Sequence, residues 1–94
     1  MTLKHIIQKK LGTVVDVRSI AEFNGGHIEH AINIPLQQIE VRLDELKSLT
    51  QPLVLCCASG GRSGQAHHFL SQKGIECYNG GGWLDVEYIQ QQTV

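Results

Sequence analysis

One stretch constrains the fold of this chain more than any other, because a buried-strand signal runs directly into a glycine-rich turn and then a helix. The apolar run Leu-Val-Leu-Cys at 53–56 has the length and composition of a strand buried on both faces. Cys57 stands where that strand should end, and only small residues separate it from Arg62. From Ser63 onwards, apolar side chains recur every three or four positions, which indicates a helix. The stretch therefore predicts a strand, a loop over 57–62 and a helix that begins at Ser63.

A thiol at the base of such a loop occupies a position that favours reactivity. Ligands of α/β sheets bind beyond the carboxyl ends of the strands, and a helix N-terminus favours an anion and lowers the pKa of a nearby thiol. Gly60 and Gly61 permit positive φ, so that successive amides can turn inward as an anion-binding nest, and Arg62 adds a positive charge. Cys57 is the predicted nucleophile. The predicted binding loop that follows it comprises Ala58, Ser59, Gly60, Gly61, Arg62 and Ser63.

Three motifs in this chain resemble those of the rhodanese-type sulfurtransferases and occur in the family order. The segment Cys-Ala-Ser-Gly-Gly-Arg-Ser at 57–63 is similar to the family's active-site loop. The segment Asp-Val-Arg-Ser-Ile-Ala-Glu-Phe at 16–23 resembles its Asp-Val-Arg-Ser…Glu-Phe signature. The segment Gly-His-Ile-Glu-His-Ala-Ile-Asn-Ile-Pro at 26–35 resembles its Gly-His-Ile…Ala-Asn-Ile-Pro signature.

The resemblance covers nearly the whole chain, from about residue 14 to Trp83, and includes the glycines at 80–82. It is strongest to small single-domain members of the phage shock protein E type, which share the Ser-Gly-Gln-Ala run at 63–66. One departure is His30, because many members have a glycine at that position.

The resemblance implies sulfur transfer in two steps without a cofactor. In the first step, the Cys57 thiolate takes the sulfane sulfur of a small anionic donor such as thiosulfate and becomes a persulfide. In the second, a thiophilic acceptor removes that sulfur. Cyanide, a small thiol and a protein partner are all acceptors that the family resemblance leaves open.

Two other functions compete with sulfur transfer. Phosphatases and arsenate reductases of the Cdc25 type resemble rhodaneses in fold, but their loops are one residue longer between cysteine and arginine. Only four residues separate Cys57 from Arg62 here, and no histidine precedes the cysteine. A non-catalytic binding module of the same fold usually lacks the cysteine, so Cys57 argues against that alternative as well.

Asp16, Arg18 and Glu22 are predicted to support the fold rather than to react. Ser19 and Glu22 fit a capping box, in which the serine caps a helix and the glutamate reaches back to it. The family resemblance adds a structural ion pair between Arg18 and Glu22. The alternative is that Asp16 or Arg18 lines the site.

The other thiols are interpreted as core residues. Strand side chains alternate between faces, so Cys56 should be buried in the core if Cys57 faces the loop, and Cys77 lies within another predicted strand. Three cysteines without framework spacing fit free thiols in a reducing compartment.

The two closely spaced histidines, His27 and His30, have no third metal ligand at a sensible spacing. A packing role is therefore favoured over a metal site. Trp83 is likewise interpreted as a core residue, with a place in the wall of the active site as the alternative.

Strand patterns alternate with helical patterns along the chain, which predicts an α/β fold with three layers, α/β/α, around a mainly parallel sheet of four or five strands. The 94 residues fit one domain over 1–94. The predicted strands lie at 13–17, 31–34, 53–56 and 75–78, and the predicted helices start near Leu3, Ile20, Ile39, Ser63 and Trp83. The segment 79–82 is predicted to be a loop beside the Cys57 loop, because both follow parallel strands.

Composition excludes several partners. The net charge is −1, and the sequence has no basic stripe of the kind that binds nucleic acid. No apolar run approaches the length needed to span a membrane. The N-terminal residues carry charge without a continuous apolar segment, so a cytoplasmic location is expected, or a periplasmic one if a leader has been removed.

Overall fold

A parallel β-sheet of four strands forms the centre of the computed structural model, which describes residues 1–92. The strands lie in the order β2-β1-β3-β4, and every neighbouring pair is parallel. Their bounds are Thr13–Asp16 for β1, Ile32–Asn33 for β2, Leu53–Cys57 for β3 and Cys77–Gly82 for β4. The helices are α1 Leu3–Gln8, α2 Ile20–Asn24, α3 Leu43–Ser48, α4 Gly61–Gln72 and α5 Trp83–Gln91, and a short 3₁₀ turn spans Leu36–Gln38.

The central strand β3 divides the interior into two hydrophobic cores. All five of its residues are buried. Because strand side chains alternate, Leu55 and Cys57 pack on the side of α4, whereas Val54 and Cys56 pack on the side of α1 and α5. The predicted three-layer α/β architecture is therefore confirmed, with four strands. The last two positions of the predicted domain, 93 and 94, lie outside the described residues.

The capping box predicted at the start of α2 is present. Ser19 Oγ accepts a hydrogen bond from the Glu22 amide at 3.2 Å, and the Ser19 amide donates to Glu22 Oε1 at 3.1 Å. These two bonds satisfy amides that a helix N-terminus otherwise leaves without partners. They also hold Glu22 at the carboxyl edge of the sheet.

Two predicted boundaries on the carboxyl side of the sheet are wrong. The helix after the Cys57 loop begins at Gly61, two residues before the predicted start. The segment 79–82 belongs to β4, which pairs with β3 through a register shift opposite Leu55 and Cys56. Two of its glycines permit close packing, since a Cβ on Gly80 would lie 2.8 Å from a Val86 methyl group and one on Gly82 would lie 2.9 Å from the Ala58 carbonyl oxygen.

The continuous helix predicted to start near Ile39 is not observed either. The chain forms the 3₁₀ turn before Ile39 and the short helix α3 after Arg42, whose φ of −105° interrupts a continuous helix. Ile39 and Leu46 are nevertheless both buried, so the apolar side chains of this segment still face the core. No helix within residues 1–92 is long and apolar enough to cross a membrane.

Candidate active site

Cys57 is the last residue of β3, and the loop 58–60 carries the chain from it into α4. Gly60 has a φ of +106°, a left-handed conformation that glycine adopts without a steric cost. This conformation lets the Gly60 amide donate a hydrogen bond to Cys57 Sγ at 3.0 Å. The Ser63 hydroxyl lies 3.4 Å from the same sulfur. The loop therefore directs several donors at one atom, and Cys57 is only 1% exposed.

Two opposing effects set the pKa of Cys57. Burial raises the pKa, because it disfavours the charged thiolate. Hydrogen bonds from the Ser63 hydroxyl and from the amides of Ser63, Gly60 and Ser59 outweigh burial and lower the pKa to about 7. A substantial fraction of Cys57 is therefore thiolate at neutral pH without a general base.

The other two thiols lie in contrasting surroundings. Burial, together with the charge of Asp16, raises the pKa of Cys56 far above neutral pH. Burial also raises the pKa of Cys77, and a contact with the Ser71 hydroxyl at 3.5 Å offsets this only in part. Both residues are buried, as predicted. Only Cys57 combines a position at the sheet edge with a lowered pKa.

The loop arginine is held by a carboxylate from another helix. Arg62 Nη1 and Nη2 donate to the two carboxylate oxygens of Glu22 at 2.7 and 2.9 Å. The Arg62 hydrogen bond is the main reason that the pKa of Glu22 falls to about 2, and the Ser19 amide adds to the effect. The pair is therefore fully charged at neutral pH. It ties the first turn of α4 to α2 and so braces the loop.

The predicted ion pair between Arg18 and Glu22 is wrong. Arg18 pairs with Asp16, whose carboxylate accepts bonds from the Arg18 amide and guanidinium at 2.7 to 3.0 Å. Arg18 Nη2 also donates to the Gly26 carbonyl at 2.7 Å, and the guanidinium lies 4.7 Å from the centre of the Trp83 ring. These contacts fasten the end of β1 to the segment before β2 and to α5. The Arg18–Asp16 pair is therefore buried and has a structural role.

Sequence reasoning missed one residue of the site, Asn79. Its Oδ1 accepts from the Ser63 hydroxyl at 2.7 Å and from the Gly81 amide at 3.0 Å, and its Nδ2 donates to the Gly60 carbonyl at 3.1 Å. Asn79 therefore connects β4 to Gly60 and to Ser63, where the loop joins the first turn of α4. The only available signal was its position in the segment predicted to lie beside the Cys57 loop.

The histidines and Trp83 lie outside this cluster of donors. The His27 ring stacks on Phe23 with ring centres 3.8 Å apart, and its Nδ1 lies 2.7 Å from the Phe23 carbonyl oxygen. His30 has a φ of +70°, a left-handed conformation that glycine adopts more easily than other residues. Trp83 packs with the core beside α1 and α5. Within residues 1–92, no group of three or more His, Cys, Asp or Glu side chains is arranged to hold a metal ion.

A separate depression of about 600 Å³ lies between α1 and α5, near the amino ends of the strands. Its lining includes Ile6, Val14, Val54 and Glu87 but neither Cys57 nor its loop. The candidate site is therefore the ring of donors around Cys57 Sγ, and this depression is not part of it. Such a ring suits a reaction at a single small atom.

Comparison with known proteins identifies the family. Residues 2–86 match the family described as the rhodanese-like domain. The chain therefore belongs to the rhodanese-like family, whose members include named sulfurtransferases.

Individual relatives agree with this assignment. The chain is 32% identical over 74 residues to the thiosulfate sulfurtransferase PspE of Escherichia coli, a match that covers 77% of this chain and 71% of that protein. It is 43% identical over 67 residues to the Bacillus subtilis protein YqhL, covering 70% of this chain and 52% of that protein. The chain thus spans about half the length of YqhL. A solved rhodanese-like domain protein of Staphylococcus aureus superposes with a TM-score of 0.75 at 30% identity, covering 90% of this chain and 83% of that one.

Proposed function

We propose that this protein moves a sulfane sulfur from a small anionic donor such as thiosulfate to a thiophilic acceptor through a persulfide on Cys57. The observation that carries the proposal is the convergence of the loop amides and the Ser63 hydroxyl on Cys57 Sγ, which favours a thiolate near neutral pH. The likeness to a relative named as a thiosulfate sulfurtransferase supports the choice of donor.

The first half-reaction is a displacement at sulfur. The Cys57 thiolate attacks the outer sulfur of thiosulfate and forms a new S–S bond, while the original S–S bond breaks and sulfite leaves with its electron pair. The product is a Cys57 persulfide, whose terminal sulfur carries the negative charge. In this proposal the amides that converge on Cys57 Sγ also stabilise the charge of the sulfur attached to it.

The second half-reaction returns the enzyme to its starting state. A nucleophilic acceptor attacks the terminal sulfur, and Cys57 leaves as a thiolate that the same donors stabilise. Cyanide, a small thiol and the thiol of a partner protein all fit this step chemically. Because Arg62 is paired with Glu22, its charge acts mainly to hold the loop, and the amides supply most of the stabilisation at the sulfur.

The experiment that tests this function is the intact mass of the protein after treatment with thiosulfate. We expect the mass to increase by one sulfur atom and to return to its original value when cyanide is added, with release of thiocyanate. A protein whose mass does not change on treatment with excess thiosulfate, while Cys57 remains free to alkylation, would contradict the proposal. The same mass increase without thiocyanate release would support persulfide formation and contradict transfer to cyanide.

The length of the loop provides a separate prediction that distinguishes sulfur transfer from phosphate chemistry. Insertion of one glycine between Gly60 and Gly61 should move the Gly60 amide away from Cys57 Sγ, where it now lies at 3.0 Å. Misplacement of a catalytic group by about 1 Å can cost on the order of a hundredfold in rate. We therefore expect thiosulfate:cyanide activity to fall about a hundredfold, while weak hydrolysis of an aryl phosphate, absent from the parent protein, becomes detectable.

A matched control inserts one glycine between Gly74 and Ile75, in the connection between α4 and β4 at the other end of the sheet. Gly74 has a φ of +80° and open space around it, so this insertion should leave the sulfur transfer rate close to that of the parent protein. Steady-state assays with both substrates, and circular dichroism to verify folding, complete the comparison. The prediction is wrong if the parent protein hydrolyses the aryl phosphate or if both insertions affect sulfur transfer equally.

A further inference from the structure

We propose that Asn79 is a positioning residue that holds the hydroxyl proton of Ser63 and thereby regulates how readily Cys57 forms its thiolate. The proposal rests on the proposed function, in which Cys57 is the nucleophile. Asn79 does not touch the sulfur. It acts through Ser63, the one side-chain hydroxyl that lies between Asn79 Oδ1 and Cys57 Sγ.

Ser63 is fully buried, so its hydroxyl has only protein atoms as hydrogen-bond partners. A serine hydroxyl has one proton to donate. Two acceptors compete for it, Asn79 Oδ1 at 2.7 Å and Cys57 Sγ at 3.4 Å. Both contacts have hydrogen-bonding distances for their acceptor atoms, and the single proton can be donated fully to only one of them. Any hydrogen bond from Ser63 to the thiolate therefore has to be formed at the expense of the bond to Asn79.

The orientation of the Asn79 amide cannot be reversed to relieve this competition. The Gly81 amide, which can only donate, lies 3.0 Å from Oδ1, and the Gly60 carbonyl, which can only accept, lies 3.1 Å from Nδ2. A flipped amide would place two donors together at Gly81 and two acceptors together at Gly60. Asn79 therefore presents an oxygen, and not an N–H group, to the Ser63 hydroxyl.

The ionic groups around Cys57 do not depend on this arrangement. Arg62 of α4 is paired with Glu22 of α2, and Arg18 with Asp16 at the end of β1. The Asp85 carboxylate of α5 lies next to Gly82. None of these groups makes a hydrogen bond to Asn79, so a substitution at Asn79 changes the bonding of Ser63 while both ion pairs stay in place.

Two substitutions at Asn79 should move the pKa of Cys57 in opposite directions. Asn79→Ala removes the competing acceptor and leaves the Ser63 proton to the thiolate, so the pKa should fall by about half a unit to one unit. Asn79→Asp, which keeps the size of the side chain, adds a negative charge and a stronger acceptor, so the pKa should rise by about one unit. A residue that merely braced the loop would change the pKa in the same direction in both variants.

A Ser63→Ala background tests whether the effect passes through the hydroxyl. In that background Asn79→Ala should no longer lower the pKa of Cys57, and the rise caused by Asn79→Asp should shrink. The pKa is read from the pH dependence of the thiolate absorbance in the ultraviolet, with the Cys57→Ser form of each variant as the blank. Cys56 and Cys77 do not interfere, because burial raises the pKa of both thiols.

The outcomes separate this proposal from the proposed function, because the thiolate titration requires no turnover. The proposal is overturned if Asn79→Ala leaves the pKa unchanged or raises it, or if it lowers the pKa equally with Ser63 and with Ala at position 63. It is supported if the two Asn79 variants diverge and the pH profile of sulfur uptake from thiosulfate shifts with the pKa. Divergent pKa values in a protein that takes up no sulfur would support the role of Asn79 and contradict sulfur transfer.

Discussion

Cys57→Ser is expected to abolish the uptake of sulfur from thiosulfate. The hydroxyl that replaces the thiol would not ionise near neutral pH, and it cannot form a persulfide. Removal of a covalent nucleophile costs a factor on the order of 10⁶ in a well-studied hydrolytic enzyme, and a loss of that size would leave no measurable activity here. Intact mass after thiosulfate treatment and a thiocyanate assay with cyanide both measure the effect. A Cys57→Ser variant that still gains one sulfur atom would show that another residue is the nucleophile.

The adjacent residue provides a matched control. Cys56 lies next to Cys57 in the chain, but its side chain is fully buried in the core on the other face of the sheet. Cys56→Ser should therefore keep most of the activity, while its buried hydroxyl lowers the free energy of unfolding by about 1–3 kcal/mol if no partner is found. Loss of sulfur uptake in a folded Cys56→Ser protein would point instead to a pair of cooperating thiols at 56 and 57.

Asp16→Ala is expected to produce the largest loss of stability. The Asp16 side chain is fully buried, and the Arg18 side chain that it pairs with is only 6% exposed. Removal of one partner of a buried ion pair leaves the other charge uncompensated and costs about 3–5 kcal/mol. In a domain of this size the melting temperature should fall by roughly 4–8 °C for each kcal/mol. Denaturant and thermal unfolding measure the two quantities.

Two further variants test the cause of that loss. Asp44→Ala, at an exposed position on α3, should change the free energy of unfolding by less than about 0.5 kcal/mol. Arg18→Ala should cost less in the Asp16→Ala background than in the parent protein, since there it removes a charge that is already unpaired. Equal costs in the two backgrounds would contradict the prediction that the pair acts as a unit.

The fold could be predicted from local sequence because its signals are local. Alternation along 53–57 separates residues of the two cores, and the helical spacing after Ser63 needs only the neighbouring turns of one helix. The capping box of Ser19 and Glu22 also lies within a few residues. Local signals do not fix a boundary that packing decides. The glycines at 80–82 resemble a turn in sequence but belong to β4, where neighbouring atoms leave no room for a Cβ on Gly80 or Gly82.

Local sequence signals could not predict which side chains form ion pairs around the site. Glu22 could be assigned to a helix start, but its partner Arg62 lies 40 positions further along the chain, where the family resemblance suggested Arg18 instead. Arg18 is unavailable because Asp16, two positions away, binds its guanidinium inside the protein. The choice between two arginines depends on where α2 meets the first turn of α4.

The sequence by itself determined the succession of strands and helices along the chain, the position of Cys57 at the end of β3 and a pair of glycines, Gly60 and Gly61, of which Gly60 turns an amide toward the thiol, because each follows from spacing within one short segment. Only the tertiary structure decided that Arg62 pairs with Glu22 and that Asn79, 16 positions from Ser63, binds its hydroxyl. The physical reason is that hydrogen bonds and ion pairs require atoms about 3 Å apart. Which distant segments approach that closely is set by the packing of the whole sheet and its helices.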